Sequence, residues 1–519
     1  MACEANHLCD TIFSSAIEMP GRLYHQDPRQ RPGRRSLPTP QPSGTDTVMH
    51  KIHQIYIDGH FVTPHGTEVA PLYNPSTEQV IGEVRLADET DANAAVAAAK
   101  RAFASYSRTT KLERIAILKR LTAAFTDRLD DIKTAMTEEY GAVRGIVEGL
   151  IPLAPAMFDE AAKLLESYEF EQTRGTTTVS MDPLGVAVAI TPWNLSAVFV
   201  AQKVANALAA GCTVVVKPSE LSALQTQILT EAFDAADLPP GVVNVITGRG
   251  ATVGDTLTSH PDVAKVDFTG STGVGQQIMR NAADTFKRLT LELGGKSPTI
   301  LLDDADIPSA VGAALTSGFL NNGQTCFAGT RILAPESKLD EVLTAIESAM
   351  PAFKAGDPTD AATGVGPVVS QTQFDRVQSY IRLGQEEGAH ILTGGEGRPE
   401  GLDKGWFVKP TVFTGVTNQM RIAREEIFGP VLVVIAYKDE QEAVAVANDT
   451  PYGLQAHVFS QDPERARRTA EQLEAGTVLI NRIFGDPEAP FGGMKQSGIG
   501  RHHHTYGLES YLEPRAITA

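Results

Sequence analysis

Residues 186–220 read VAVAITPWNLSAVFVAQKVANALAAGCTVVVKPSE, and the alternation within them decides the fold. A run of β-branched and small apolar residues, Val186 to Ile190, leads into a helical stretch that stops at Gly211, and a second apolar run follows from Thr213 to Val216. Strands that are apolar throughout need cover on both faces, and a helix between two of them makes their pairing parallel. Val243 to Ile246, Lys265 to Phe268 and Leu289 to Leu293 repeat the alternation. The expected fold class is α/β with a doubly wound parallel sheet. Upstream, Thr90 to about Met157 reads as scaffold helices, with Val96, Ala99 and Phe103 on one apolar face and Ile115, Leu118, Leu121 and Phe125 on the next.

In such sheets ligands bind outside the carboxyl ends of the strands. Four of those ends carry unusual residues: Thr191-Pro192-Trp193-Asn194, Lys217-Pro218-Ser219-Glu220, the run Thr269-Gly270-Ser271-Thr272-Gly273-Val274-Gly275, and Glu292 before Gly294-Gly295-Lys296. The 269–275 run opens a helix, so its backbone N–H groups and the helix dipole suit a pyrophosphate, although the spacing is not GxGxxG. Lys217 and Glu220 suit ribose hydroxyls, or else form a plain ion pair, and Gly250 marks either a close approach of cofactor to backbone or an ordinary turn.

The stretch Asn321-Asn322-Gly323-Gln324-Thr325-Cys326-Phe327-Ala328-Gly329 holds a single cysteine in a polar, glycine-flanked turn. Before it a helix is expected, with Asp306 at its N-cap and Ala310, Val311, Ala314, Leu315 and Phe319 on its apolar face; after it Arg331 to Ala334 reads as a strand. A lone cysteine is commonly a small buried hydrophobe. If instead Cys326 attacks a carbonyl carbon, the oxyanion needs donors, for which Asn194 is the candidate, and hydrolysis of the thioester needs a carboxylate base, for which Glu292 is the candidate. The plainer alternatives are an Asn194 bonded to its own backbone and a Glu292–Lys296 ion pair.

At 519 residues the chain is too long for one core. Hydrophobic residues make up 42% and charged residues 21%, with no run long and apolar enough to span a bilayer, so no membrane span is expected. A formal net charge of -18 argues against a nucleic-acid partner. The four cysteines, Cys3, Cys9, Cys212 and Cys326, form no CxxC and suit a reducing cytoplasm. No metal is expected, since His502, His503 and His504 are consecutive and lack accompanying ligands. Residues 1–48, rich in proline and arginine, read as a disordered tail; Glu4, Asp10, Glu18 and Asp27 spoil an organellar presequence, no apolar h-region precedes a cleavage site, and Met49 is an alternative start. Folded structure is expected from Gln54 to Asp58, a turn at Gly59, and Phe61 to Val62.

Taken together, the motifs resemble the aldehyde dehydrogenase superfamily, of the NAD(P)-dependent, non-phosphorylating kind. They are Thr-Pro-Trp-Asn (191–194), Lys-Pro-Ser-Glu (217–220), Phe-Thr-Gly-Ser-Thr (268–272), Leu-Glu-Leu-Gly-Gly-Lys-Ser-Pro (291–298) and Gly-Gln-Thr-Cys (323–326). Glu-Glu-Ile-Phe-Gly-Pro (425–430), Asn-Asp-Thr-Pro-Tyr-Gly-Leu (448–454) and Pro-Phe-Gly-Gly-Met-Lys-Gln-Ser-Gly-Ile-Gly-Arg (490–501) follow, and the match runs from about 54 to 514. The resemblance implies that Cys326 is the nucleophile, Glu292 the base, and Asn194 with the Cys326 amide the oxyanion hole. It implies further that Lys217 and Glu220 hold the adenosine ribose, Ser271 the pyrophosphate and Glu426 the nicotinamide ribose, with Trp193, Gly270, Leu293 and Phe428 shaping a pocket that Thr191, Gly250 and Thr269 complete.

The implied domains are an NAD(P)-binding domain (49–166 and 184–293), a catalytic domain (294–502) and a small β oligomerisation arm (167–183 and 503–519) that completes a neighbour's sheet in a homodimer or homotetramer. Glu220 favours NAD over NADP, while Lys217 accepts either. Two departures from the family pattern stand out: Arg501 is followed by His502 where glutamate is common, and Leu195-Ser196-Ala197 follows Asn194 where an aromatic and a proline are common. No arginine adjoins Cys326, and Thr325 and Phe327 point to an uncharged aliphatic or aromatic aldehyde. The alternatives are a semialdehyde-specific dehydrogenase, an acylating enzyme using coenzyme A, which often lacks the base, and a non-catalytic relative kept for structure or binding.

Overall fold

Every residue of Val186–Ile190 (β1) and Thr213–Lys217 (β2) is buried, the signature of strands covered on both faces. In the computed structural model, which describes residues 49–519, they pair in parallel with Val243–Val245 (β3), Val263–Thr269 (β4) and Arg288–Glu292 (β5). The order is β5-β4-β1-β2-β3, so the chain runs outward from β1 to β3 and then returns to the other side of β1. The topological switch point therefore falls between the carboxyl ends of β1 and β4, where Thr191 to Asn194 and Thr269 to Ser271 begin. The helix linking β1 to β2, Ser196–Ala210 (α1), is buried along nearly its whole length between the sheet and helix Leu153–Ser167, and ends at Gly211 in the left-handed region (φ 88°).

The expectation of a parallel sheet holds for these five strands and not for its edges. Ile55–Ile57 joins β3 antiparallel with His60–Val62 beyond it, through a two-residue turn at Asp58 and Gly59 with both φ positive. On the far side Gly498–Ile499 pairs antiparallel with β5. A separate three-stranded sheet of His50–Ile52, Val69–Tyr73 and Val80–Arg85 was not anticipated, because its short strands interleave polar residues and proline. The tail expected over 1–48 lies outside the described residues.

The second layer is a mostly parallel sheet of Pro298–Leu301 (β6), Arg331–Pro335 (β7), Thr411–Thr414 (β8), Val431–Tyr437 (β9), Gln455–Phe459 (β10) and Thr477–Ile480 (β11), in the order β8-β9-β7-β6-β10-β11, with His390–Thr393 antiparallel on β8. Its amino-terminal connections carry Lys296, Cys326 and Glu426, each just before β6, β7 and β9. A fourth, small sheet pairs Glu171–Arg174 and Thr177–Pro183 with Leu512–Thr518, all antiparallel. Its outer strand, Glu171–Arg174, is exposed along its length. Between the second sheet and this one, helix His504–Glu509 packs on α1.

Candidate active site

The helix before the cysteine, Ile307–Phe319 (α2), starts at Asp306 as expected, although the Asp306 carboxylate makes no capping bond. Three consecutive residues then take left-handed backbone: Asn321 (φ 52°), Asn322 (φ 61°) and Gly323 (φ 71°). Asparagine and glycine are the residues that tolerate this conformation, which costs asparagine about 1–3 kcal/mol and persists only where the surroundings over-determine it. Here they do. Asn322 donates to the carbonyls of Gly141 and Pro367 (both 3.0 Å) and accepts from Gly366 N–H (2.7 Å). Tyr140 donates to Asn321 O (2.9 Å) and accepts from Gln324 Nε2 (3.0 Å), and Asn321 Nδ2 donates to Asn194 O (2.9 Å). A Cβ on Gly323 would stand 2.3 Å from the backbone carbon of Gly429, which cannot yield as a flexible side chain would. Gly323→Ala is therefore expected to cost more than about 3 kcal/mol and to lower the melting temperature by many degrees; a variant melting like wild type would contradict this over-determination.

This loop presents Cys326 half-buried. Asn194 does not bond its own backbone; its Nδ2 donates to Gln324 O at 2.9 Å, which places the amide in the cysteine loop. Burial pushes the Cys326 thiol well above its ordinary value, and the carboxyl groups of Glu292 and Glu426 push it further. Phe327, directly after the cysteine, meets the Phe491 ring edge-on (6.2 Å between centroids), and Phe491 stacks on His503 (5.7 Å).

Glu292 ends β5 and is 3% exposed, with neither carboxyl oxygen hydrogen-bonded. The Glu292–Lys296 ion pair is not formed, since Lys296 Nζ is also buried and unpartnered. Burial raises the Glu292 carboxyl well above the ordinary carboxylate range, with Asp267 adding to it and Lys203 opposing, and lowers Lys296 to about 7. The floor under Glu292 comes from the C-terminal motif. Gly498 (φ 132°) pairs with Glu292, and a Cβ there would lie 1.8 Å from Leu291 O; a Cβ on Gly492 would lie 2.7 Å from Glu292 Oε1.

Along the switch point, Thr191 Oγ1 and Thr269 Oγ1 are buried without partners, so this rim offers polar groups that the protein leaves unsatisfied. Ser271 is the N-cap of helix Thr272–Ala282 and its hydroxyl makes no capping bond. A Cβ on Gly270 would meet the Phe268 ring at 2.4 Å, and the Leu293 side chain lies 2.6 Å from where a Gly275 Cβ would stand. Trp193 and Phe428 meet edge-to-face (5.4 Å), with Phe428 in the left-handed region (φ 62°) and its carbonyl held by Gln373 Nε2 (2.7 Å). Glu426 Oε1 accepts from Gly295 N–H (3.1 Å), and burial raises its carboxyl to about 7. At the far end Lys217 Nζ stands 3.7 Å from Glu220, and Arg249, unremarked in the sequence, donates to Glu220 Oε1 (3.0 Å) and to Glu68 (2.8 Å). Burial alone would raise the Glu220 carboxyl, yet Lys217 and Arg249 hold it below the ordinary value. Gly250 opens a short π-helical turn with open space where its Cβ would be. These unsatisfied hydroxyls, the uncapped helix start and the paired carboxylates fit a dinucleotide.

The structure thus brings Cys326, Asn194 and Glu292 to the facing ends of two sheets, with Glu426 and Phe428 on the second sheet's side and the other expected residues along the first sheet's rim. Among the described residues there is no cluster of histidine, cysteine and acidic groups able to hold a metal, and no helix is long and apolar enough to cross a membrane. The residues missed were the supports: Tyr140, Gln324 and Asn322 under the loop, and Lys203 and Asp267 beneath Glu292. Asn322 and Gln324 stood in the quoted turn without an assigned role, Lys203 and Asp267 left a trace as charges inside otherwise apolar runs, and Tyr140 left none.

The model of the aldehyde dehydrogenase family matches residues 61–517. The chain belongs to the aldehyde dehydrogenase family. Its enzyme class, a dehydrogenase that oxidises aldehydes, follows from that membership. Among similar proteins, a 3-succinoylsemialdehyde-pyridine dehydrogenase of Pseudomonas sp is 47% identical to this aldehyde dehydrogenase over 473 residues, covering 90% of this chain and 99% of that one. Among solved structures, aldehyde dehydrogenase C of Pseudomonas syringae, crystallised as a mutant with NAD+ and octanal, superposes with a TM-score of 0.88 at 43% identity, covering 91% of this chain and 97% of that one. An aldehyde dehydrogenase of Mycobacterium tuberculosis complexed with NAD+ gives 0.88 at 39% identity, covering 91% and 99%.

Proposed function

We propose that this aldehyde dehydrogenase converts an uncharged aliphatic or aromatic aldehyde to the carboxylic acid through a thioester on Cys326, with NAD as hydride acceptor. The observation that carries the reading is the convergence of a half-buried thiol, an amide donor and an unpartnered buried carboxyl group at one point. Cys326 Sγ bonds to the carbonyl carbon as the thiol proton passes to water, giving a thiohemiacetal whose oxygen carries the negative charge. One N–H of the Asn194 amide is committed to Gln324, so its second N–H, with the Cys326 backbone N–H, is left to donate to the oxyanion. Bound NAD supplies the acceptor for the hydride that departs from the same carbon. Glu292 takes a proton from water, whose oxygen adds to the thioester; the Cys326–carbon bond breaks and the acid is released.

Several further assignments belong to this reading. Thr191, Trp193, Thr269, Gly270, Ser271 and Leu293 line the pyrophosphate and nicotinamide course, Glu426 and Phe428 meet the nicotinamide ribose and ring, and Lys217 and Glu220 meet the adenosine ribose near Gly250. An ionised Glu220 repels a 2′-phosphate, which supports NAD over NADP. The domains are 49–166 with 184–293, 294–502, and an arm of 167–183 with 503–519; the exposed edge strand of that arm is suited to pairing in a homodimer or homotetramer. A catalytic thiol suits the reducing cytoplasm.

A second reading, a dehydrogenase for a ring-bearing semialdehyde, is favoured by the name of the Pseudomonas relative together with the aromatic pair Phe327 and Phe491. NADH formation with octanal, benzaldehyde, a pyridyl semialdehyde and succinate semialdehyde, each with NAD and NADP, tests both. Turnover of a neutral aldehyde with NAD is expected; preference for succinate semialdehyde would overturn the substrate class, and no turnover with any aldehyde would overturn the reading as a whole.

A further inference from the structure

Beneath Glu292 lies a group of charged side chains that the mechanism above leaves unused. Lys203 on α1 and Asp267 on β4 are both fully buried, with Lys203 Nζ 2.5 Å from Asp267 Oδ1. His502 is 1% exposed, and its Nε2 lies 3.0 Å from both oxygens of Asp267. Tyr511 donates its hydroxyl to Asp267 Oδ2 at 2.7 Å. With a carboxylate as its partner, Nε2 carries the proton, and the state of Nδ1 decides the charge of the ring. Nδ1 stands 3.9 Å from Glu292 Oε1, just outside hydrogen-bond reach, so the two must close up for a proton to pass.

The other ionisable groups near His502 have hydrogen-bond or ring partners of their own, although Lys265, like Lys203, opposes a charge on the His502 ring. Lys265 donates to Thr290 Oγ1 (2.7 Å) and lies over the Tyr511 ring (4.7 Å). Arg501 donates to the carbonyls of Gly493 and Gly500, and His503 stacks on Phe491. A buried carboxylate with no partner is costly, so Glu292 ionises readily only if its proton has somewhere nearby to go.

We propose that His502, clamped by Asp267, is a positioning residue for Glu292: its Nδ1 takes up the Glu292 carboxyl proton, leaving a carboxylate able to accept a proton from the hydrolytic water. One proton moves from oxygen to nitrogen and no other bond changes. The total charge is constant, with Lys203 balancing Asp267 and the imidazolium balancing Glu292. Burial favours the neutral His502 and the neutral Glu292 at rest, so the transfer belongs to turnover, and Asp267 is the group that stabilises its product. The proposal rests on the reading of Glu292 as the base.

The test follows the acyl-enzyme formed with NAD and octanal, using single-turnover NADH formation for acylation and acid quench with intact-mass spectrometry for hydrolysis, across pH. His502→Gln, which can still bond Asp267 but cannot take a proton, is expected to keep single-turnover NADH formation within about twofold. Its hydrolysis at pH 7 should fall about tenfold and the acid limb should move up by about one pH unit, since each unit is a tenfold change in ionised fraction. Asp267→Asn does not decide the question, because the Asp267 charge raises both the Glu292 carboxyl and the His502 ring and its loss acts on the limb in opposite directions. An unshifted limb in His502→Gln overturns the proposal, as does an equal loss of acylation and hydrolysis with the limb in place. Should His502→Gln fail to fold, His502→Asn, which likewise cannot take a proton, decides by the same criterion. Glu292→Gln separates the two levels: normal hydrolysis there sinks the base and His502 together, whereas lost hydrolysis beside an unshifted His502→Gln limb sinks His502 alone.

Discussion

Replacing Cys326 with alanine is expected to abolish aldehyde-dependent NADH formation, by about a hundred-thousand-fold, while NAD still binds. The size follows from the nature of the step: without Sγ no covalent adduct forms, and what remains is whatever rate orientation and oxyanion donors give, as for other enzymes that lose their nucleophile. The loop itself should survive, because its conformation is held by Asn321, Asn322, Gln324 and Tyr140, none of which bonds the thiol. Quenching of tryptophan fluorescence by NAD, with Trp193 at the rim, checks that the rim is intact. An alanine variant that still turns over would remove Cys326 from the mechanism.

Glu292→Gln is expected to lose about 10²- to 10⁴-fold in steady-state turnover, the usual worth of a positioned base, with single-turnover NADH formation largely kept. The acyl-enzyme should then accumulate and be visible by intact mass. The pH dependence carries a definite sign. Burial raises the Glu292 carboxyl, so the proton leaves only as pH rises through that elevated value; wild-type hydrolysis should climb with pH across it, and the residual rate of the glutamine variant should lack that limb. Equal loss of both steps would instead assign Glu292 to the first chemical step.

The strands of the large sheet are unequally legible in the sequence. Strands such as β1 and β2 are wholly apolar, and their period and bounding glycines announce them without help from the rest of the chain. Gly498–Ile499 could not be read as a strand, because its two residues pair with β5 only when the chain returns from more than two hundred positions away. Glu426 is marked only by the family motif at 425–430, not by spacing or periodicity, and in the structure Gly295 N–H donates to its carboxyl group.

By itself the sequence determined the α/β class, the parallel order of strand and helix and the family, and it singled out Cys326, Asn194 and Glu292 as candidates, because these are written in local periodicity and in motifs whose residue types the chemistry requires. Only the tertiary structure decided which groups hold them. Tyr140 under the cysteine loop, Arg249 on Glu220, and the Lys203, Asp267 and His502 set beneath Glu292 are pairs 29 to 235 positions apart. Contact over such separations depends on how the sheets bring chain ends together, and burial then sets the charge of each group, so neither is legible in the order of residues along the chain.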